Sequence, residues 1–161
     1  MDLKRFLHPA CSQCKVAVGS KKKALEVASE TLAQQYPELD AGQIFDALVA
    51  RERLGSTALG EGVALPHCRS PLCQQPVAAV MLLEQAVDFD ASDRQPVDII
   101  FALVVPEEAN DLHLQILSTL ATAFNQPEYR ARVRATDSDQ ALFDAIVAVP
   151  AGGDQQAASQ R

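Results

Sequence analysis

Apolar residues in this chain follow two patterns, one at helical spacing and one in short continuous runs. Ala24, Leu25, Ala28, Thr31 and Leu32 recur every three or four positions behind Ser20, whose side chain can accept from the first free N–H groups of a helix. A helix is therefore predicted from Ser20 to about Gln35, broken by Tyr36-Pro37. Asp40-Ala-Gly-Gln43 is a variant capping box opening a second helix, which buries Ile44, Phe45, Leu48 and Val49 on one side and has Arg51 at its end. Asn110 or Asp111 starts a third, with Leu112, Ile116, Leu117, Leu120 and Phe124 packing inward and Pro127 beyond its end. Shorter helices are expected over 128–135 and 138–149, the latter buried through Leu142, Phe143 and Ile146.

The continuous runs, 63–65, 77–83 and 97–105, are rich in β-branched residues and bounded by Pro, Gly or Asp. They read as strands of a sheet covered on both faces, with 89–96 as a polar turn. Strands mixed with helices predict one layered α/β domain over 1–149. From Pro150 to Arg161 the chain is a polar tail too poor in apolar groups to order itself. These patterns do not give strand order, and no internal repeat is present.

Composition excludes several classes. At 161 residues with 48% hydrophobic and 22% charged, the chain fits one globular domain with a proper core. Its 21 acidic against 14 basic residues, a net charge of −7, argue against a nonspecific nucleic-acid surface. The apolar runs are too short to cross a bilayer and the N-terminus lacks a secretory core, so a cytoplasmic location is expected. In that compartment Cys11, Cys14, Cys68 and Cys73 are expected as free thiols. The spacing His8-x2-Cys11-x2-Cys14 could serve zinc, with Cys68 or Cys73 completing the ligands. A lone C-x2-C is a weak signal, and the plainer reading is a reduced pair in an N-terminal loop. Lys21 to Lys23 would sit in the first turn of the first helix, either as a solvated edge or as part of a docking surface.

The segment with most chemistry is 51–69. Gly55, Gly60 and Gly62 permit turn conformations that bring backbone N–H groups to an anion, Ser56 and Thr57 add hydroxyls, and Arg51 and Arg69 bracket His67. A histidine among such donors suits phosphoryl acceptance, since the transferred group carries negative charge on its outer oxygens. Plainer readings exist: His67 as a structural residue after a proline, Arg51 as a cation satisfying a helix C-terminus, and His113 as a satisfied histidine at the rim of the core. No Gly-x4-Gly-Lys-Ser/Thr loop occurs, so ATP is not the expected donor.

In this order the segment resembles the active-site signature of the mannitol/fructose type of enzyme IIA in the bacterial phosphotransferase system, most of all its nitrogen-regulatory branch. The resemblance rests on Ser20-Lys-Lys-Lys-Ala-Leu-Glu26, on 45–67, on Gln95-Pro-Val-Asp98, on the apolar run ending at Pro106 and on His113 in Leu-His-Leu, and spans roughly 5–148. The family commonly has glycine where Cys68 follows the histidine. Cys68 also invites a redox-sensing reading, in which oxidation would obstruct docking.

The resemblance implies a three-layer α/β/α fold, a mixed sheet sandwiched between helices. It implies a phosphocarrier in which His67 accepts phosphate through Nε2, His113 faces it and hydrogen-bonds the phosphoryl group, and Arg51 neutralises its oxygens. Ser56 and Thr57 are expected as further phosphate donors. The implied partner is an HPr-like carrier of the nitrogen branch, charged by an enzyme I paralogue from phosphoenolpyruvate. Regulatory targets such as potassium-transport or sensor proteins follow, with effects on nitrogen and carbon metabolism. No cofactor, metal, nucleic acid or membrane insertion is implied. The alternatives are a sugar-specific IIA subunit passing phosphate to a IIB component, a binding module of the same fold that transfers nothing, and the small zinc protein.

Overall fold

A computed structural model describes residues 1–150 of the chain. After a 3₁₀ turn at Leu3–Arg5 come β1 (Leu7–Val16), α1 (Lys21–Gln35), α2 (Ala41–Arg53), β2 (Ala58–Gly60), β3 (Val63–Ala64) and β4 (His67–Ser70). Then follow β5 (Val77–Val87), β6 (Val97–Pro106), α3 (Asn110–Phe124), α4 (Pro127–Arg134) and α5 (Asp139–Val147). Three of the helix starts, those of α1, α2 and α5, are set by short side chains that accept from otherwise unpaired amides. Ser20 takes the N–H of Lys23 at 3.1 Å, Asp40 that of Gln43 at 2.9 Å and Ser138 that of Ala141 at 3.1 Å.

One mixed sheet organises these elements. β5 and β6 pair antiparallel at its centre, and β1 runs parallel to β5 at one edge. On the other side of β6, β3 and β4 lie end to end, both parallel to it, with β2 antiparallel outside β3. Every residue from Val77 to Leu83 and from Ile99 to Val105 is buried, as a sheet with helices on both faces requires. α1 and α2 pack on each other and against β5 and β4, while α5 packs on β1. This is the expected α/β sandwich.

Three expectations change. The segment containing Cys11 and Cys14 is an edge strand and not a loop. Its signal is hidden because His8, Pro9 and Ala10 are exposed and a register shift between Leu7 and Ser12 breaks the alternation; the edge position tolerates a proline. Cys11 is fully buried, and Cys14 is held by α5 and the chain before it: its N–H donates to Asp139 Oδ1 at 2.7 Å and its thiol to the Thr136 carbonyl at 3.5 Å. Burial thus separates Cys11 from the exposed His8, and among the described residues no three His, Cys, Asp or Glu side chains form a group that could hold a metal. Second, β2 and β4 were not expected, because three or four residues carry too little periodicity to be seen. Third, Leu112 is 41% exposed, and the buried stripe of α3 begins at His113 instead, one residue further round the helix. The polar tail beyond Pro150 lies outside the described residues.

Gly62 ties the turn before β3 to β6. Its φ is 79°, its carbonyl accepts from the N–H groups of Asp98 and Ile99 at 3.0 and 3.1 Å, and an added Cβ would come within 2.5 Å of Arg134 Nη2 and 3.2 Å of Asp98 Oδ1. Gly62→Ala is expected to lose about 1–2 kcal/mol from the left-handed backbone, and more from displacing the Arg134–Asp98 pair at 2.9 Å. Urea unfolding checks this; an unchanged midpoint would refute it.

Candidate functional site

His67 owes its place to an interruption. β3 and β4 would be one strand along β6 were it not for Leu65-Pro66, where proline has no N–H to give the ladder. The Pro66 carbonyl still accepts the N–H of Leu103 at 2.9 Å, and β4 resumes at once with His67 opposite Leu103. His67 therefore opens a strand, whereas the apolar run ending at Leu65 had placed it after one. Leu65 faces away from β6, where its N–H donates to the Thr57 carbonyl at 3.0 Å, and its own carbonyl meets His67 Nδ1 at 2.8 Å. An acceptor there puts the ring proton on Nδ1 and the lone pair on Nε2.

His113 comes from α3. Its ring centroid lies 5.2 Å from that of His67, with the planes 64° apart. His113 is buried, and its Nε2 has no hydrogen-bond partner. Its Nδ1 lies 3.5 Å from Arg69 Nη2, while Arg69 Nη1 donates to the Glu107 carbonyl at 2.6 Å. A guanidinium has only donors, so it faces the lone pair on Nδ1 and leaves the proton on Nε2. The pair thus presents one ring nitrogen with a lone pair and one with a proton. No side chain caps α3, whose first amides also suit an anion.

Both rings favour neutrality. Burial holds the His67 pKa below its ordinary value; the Leu65 carbonyl opposes this, Arg51 lowers it further and Glu52 raises it. For His113 burial again acts first, followed by His67 and Arg69, all lowering. A neutral imidazole beside two arginines is arranged for an anionic guest rather than for its own protonation.

Arg51 stands in the last turn of α2, where its Nη1 donates to the Gly55 carbonyl at 2.9 Å. The structure gives the two hydroxyls expected to face phosphate other partners. Ser56 Oγ donates to the Phe89 carbonyl at 2.6 Å, and the buried Thr57 donates its hydroxyl to Glu52. Each hydroxyl has one proton, and in both it is already used within the fold. Cys68 is buried and its thiol is pushed up to about 12, which keeps it protonated and unreactive; the redox reading of this residue loses its basis. Two residues gain weight. Arg69 follows His67 by two, which puts both on one face of a strand, a signal present once β4 is known. Glu52 is a buried carboxylate at a helix C-terminus, where a cation would be expected.

Residues 5–148 match the family described as phosphoenolpyruvate-dependent sugar phosphotransferase system, EIIA 2. The nitrogen regulatory protein of Pseudomonas aeruginosa is 45% identical over 150 residues, covering 93% of this chain and 97% of that one. The crystal structure of nitrogen regulatory protein IIA-Ntr from Neisseria meningitidis superposes with a TM-score of 0.82 at 37% identity, over 90% of this chain and 97% of that one. IIA mannitol from Escherichia coli shares the fold, with a TM-score of 0.70 at 19% identity over 85% of this chain and 96% of that one.

Removing the cation beside His113 relieves one of the influences that lower its pKa, so Arg69→Gln is expected to raise it, as read by NMR titration of the ring. The depressed values also set a pH dependence of stability. Above the ordinary histidine value of 6.5 both states are neutral; as pH falls through it, the unfolded chain takes up protons that the folded one does not. Stability should therefore fall on acidification in that window, and a variant with His67 and His113 both changed to Gln should show a flatter profile in urea unfolding from roughly pH 7.5 to 5.5.

Proposed function

We propose that this chain, which belongs to the phosphoenolpyruvate-dependent sugar phosphotransferase system EIIA 2 family, accepts a phosphoryl group on His67 Nε2 and acts through protein partners selected by its phosphorylation state. The observation that carries the reading is the lone pair on His67 Nε2, set by the 2.8 Å contact of Nδ1 with the Leu65 carbonyl, beside the unpartnered Nε2 of His113.

In the transfer, the Nε2 lone pair attacks phosphorus as the bond to the donor's imidazole nitrogen breaks in line, and that nitrogen takes back the electron pair. The His67 proton stays on Nδ1. Such a transition state is loose and asks for positioning and charge stabilisation rather than proton transfer. His113 Nε2–H donates to a phosphoryl oxygen, Arg51 and Arg69 supply positive charge, and the α3 amides add donors. Ser56 and Thr57 contribute by holding the loop in shape.

The donor is a protein, an HPr-like carrier of the nitrogen branch charged by an enzyme I paralogue from phosphoenolpyruvate. Exposed apolar side chains on either side support docking of a macromolecule. Leu54 is 84% exposed beside Arg51 and Gly55, and Leu114 is 65% exposed beside His113. The overall similarity to nitrogen regulatory proteins favours a regulatory end point in nitrogen and carbon metabolism and potassium homeostasis, in the cytoplasm, over delivery to a sugar-specific IIB. A doubly charged group added between Leu54 and Leu114 alters complementarity enough to switch partners.

Intact mass after incubation with phosphoenolpyruvate, enzyme I and the carrier should show one acid-labile phosphoryl group, absent in His67→Ala. Arg51→Gln should retain the site but transfer about 10²-fold more slowly, the usual loss of one charge-stabilising donor. No added mass with any competent donor would leave a binding module.

A further inference from the structure

Glu52 and Lys21 each stand where their charge is disfavoured. Glu52 is in the last turn of α2 and Lys21 in the first turn of α1, so each opposes its own helix dipole. The Glu52 side chain is only 5% exposed, and a buried carboxylate is costly unless fully paired. It is paired on both oxygens. Oε1 receives Lys21 Nζ at 2.8 Å and the Thr57 N–H at 3.3 Å, and Oε2 receives the Thr57 hydroxyl. Lys21 is held in turn over the Phe89 ring at 5.0 Å and 3.6 Å from Asp90 Oδ2.

The network continues to the site. The Thr57 carbonyl accepts the Leu65 N–H at 3.0 Å, and the Leu65 carbonyl meets His67 Nδ1 at 2.8 Å. An unbroken series of hydrogen bonds therefore runs from Lys21 and Glu52 through Thr57 and Leu65 to the ring of His67. Every member is partly or wholly buried, where competition from water is small.

We propose that Glu52 is a positioning residue for His67. Through Thr57 it holds the Leu65 peptide in the place that keeps the ring proton on Nδ1 and the lone pair on Nε2. The inference rests on His67 being the phosphoryl acceptor, and it deepens that reading: Glu52 touches neither phosphate nor donor and acts only through the loop. It also explains why the first lysine of the Lys21–Lys23 run is internal, whereas Lys23 makes only an exposed pair with Glu26 at 3.2 Å. The Glu52 carboxylate acts to raise the His67 pKa, so it also favours the ring's cationic character once Nε2 is bonded to phosphorus.

The test uses Glu52→Gln, which removes the charge, Thr57→Val, which removes the hydroxyl at nearly constant shape, and Thr57→Ser, which keeps the hydroxyl. The first readout is the His67 tautomer from ring ¹⁵N shifts in the free protein, which needs no phosphate donor. Wild type and Thr57→Ser should show the Nδ1–H form, and the other two a mixture with Nε2–H. The second is phosphoryl transfer from the carrier, where turnover should fall about tenfold with KM for the carrier unchanged. A folded Thr57→Val with wild-type tautomer and turnover overturns the proposal, and decides it if Glu52→Gln fails to fold. Should wild type itself accept no phosphate, the acceptor reading fails, while the tautomer readout still tells whether Glu52 orients the ring.

Discussion

The contact between His67 Nδ1 and the Leu65 carbonyl, 2.8 Å long, is the point on which the site depends. It is made on the side of Leu65 that faces away from β6, where the residue's N–H donates to the Thr57 carbonyl. The carbonyls of Gly62 and Pro66 serve the ladder to β6, which Leu65-Pro66 interrupts between β3 and β4. The interruption costs little, since Val63 and Ala64 still pair before it and residues 67 to 70 after it. The Leu65 carbonyl, on the other side of the strand, is left to the imidazole two residues on.

What surrounds the two rings is arranged for a charge that they do not themselves carry. Burial disfavours imidazolium at both, and Arg51 and Arg69 disfavour it further. Two neutral nitrogens and two fixed cations make an environment completed by an anion, and phosphate has the right charge and oxygens. The same burial that keeps the histidines neutral keeps Cys68 protonated, so the residue after His67 packs as a small apolar group and adds no second nucleophile to the site.

The loop from Gly55 to Thr57 is held at both of its hydroxyls, by Phe89 and by Glu52. Hydroxyls near a candidate phosphate site invite a role as donors to phosphate. Here the fold has used them first, because a tight loop beside a buried carboxylate must satisfy its polar groups locally. The loop meets the ring of His67 only through the backbone, by way of the Thr57 carbonyl and the Leu65 peptide.

Helix positions were legible in the chain because capping and periodicity are local: Ser20, Asp40 and Ser138 cap where their sequence context places them. The long strands were legible because a strand buried on both faces must be continuously apolar, as at Val77 to Leu83. His67, His113 and Arg51 could be named through the resemblance their motifs carry, although spacing alone left plainer readings open. What only the tertiary structure decided was which groups meet. β1 is a strand because β5 offers it a ladder and α5 covers it, in spite of Pro9 and a broken alternation. Arg69 reaches His113 across 44 residues of sequence, and Lys21 reaches Glu52 from another helix. Capping and periodicity act within a few residues and are therefore written in order along the chain, whereas the proton positions on the two histidines depend on contacts that exist only once distant segments are packed together.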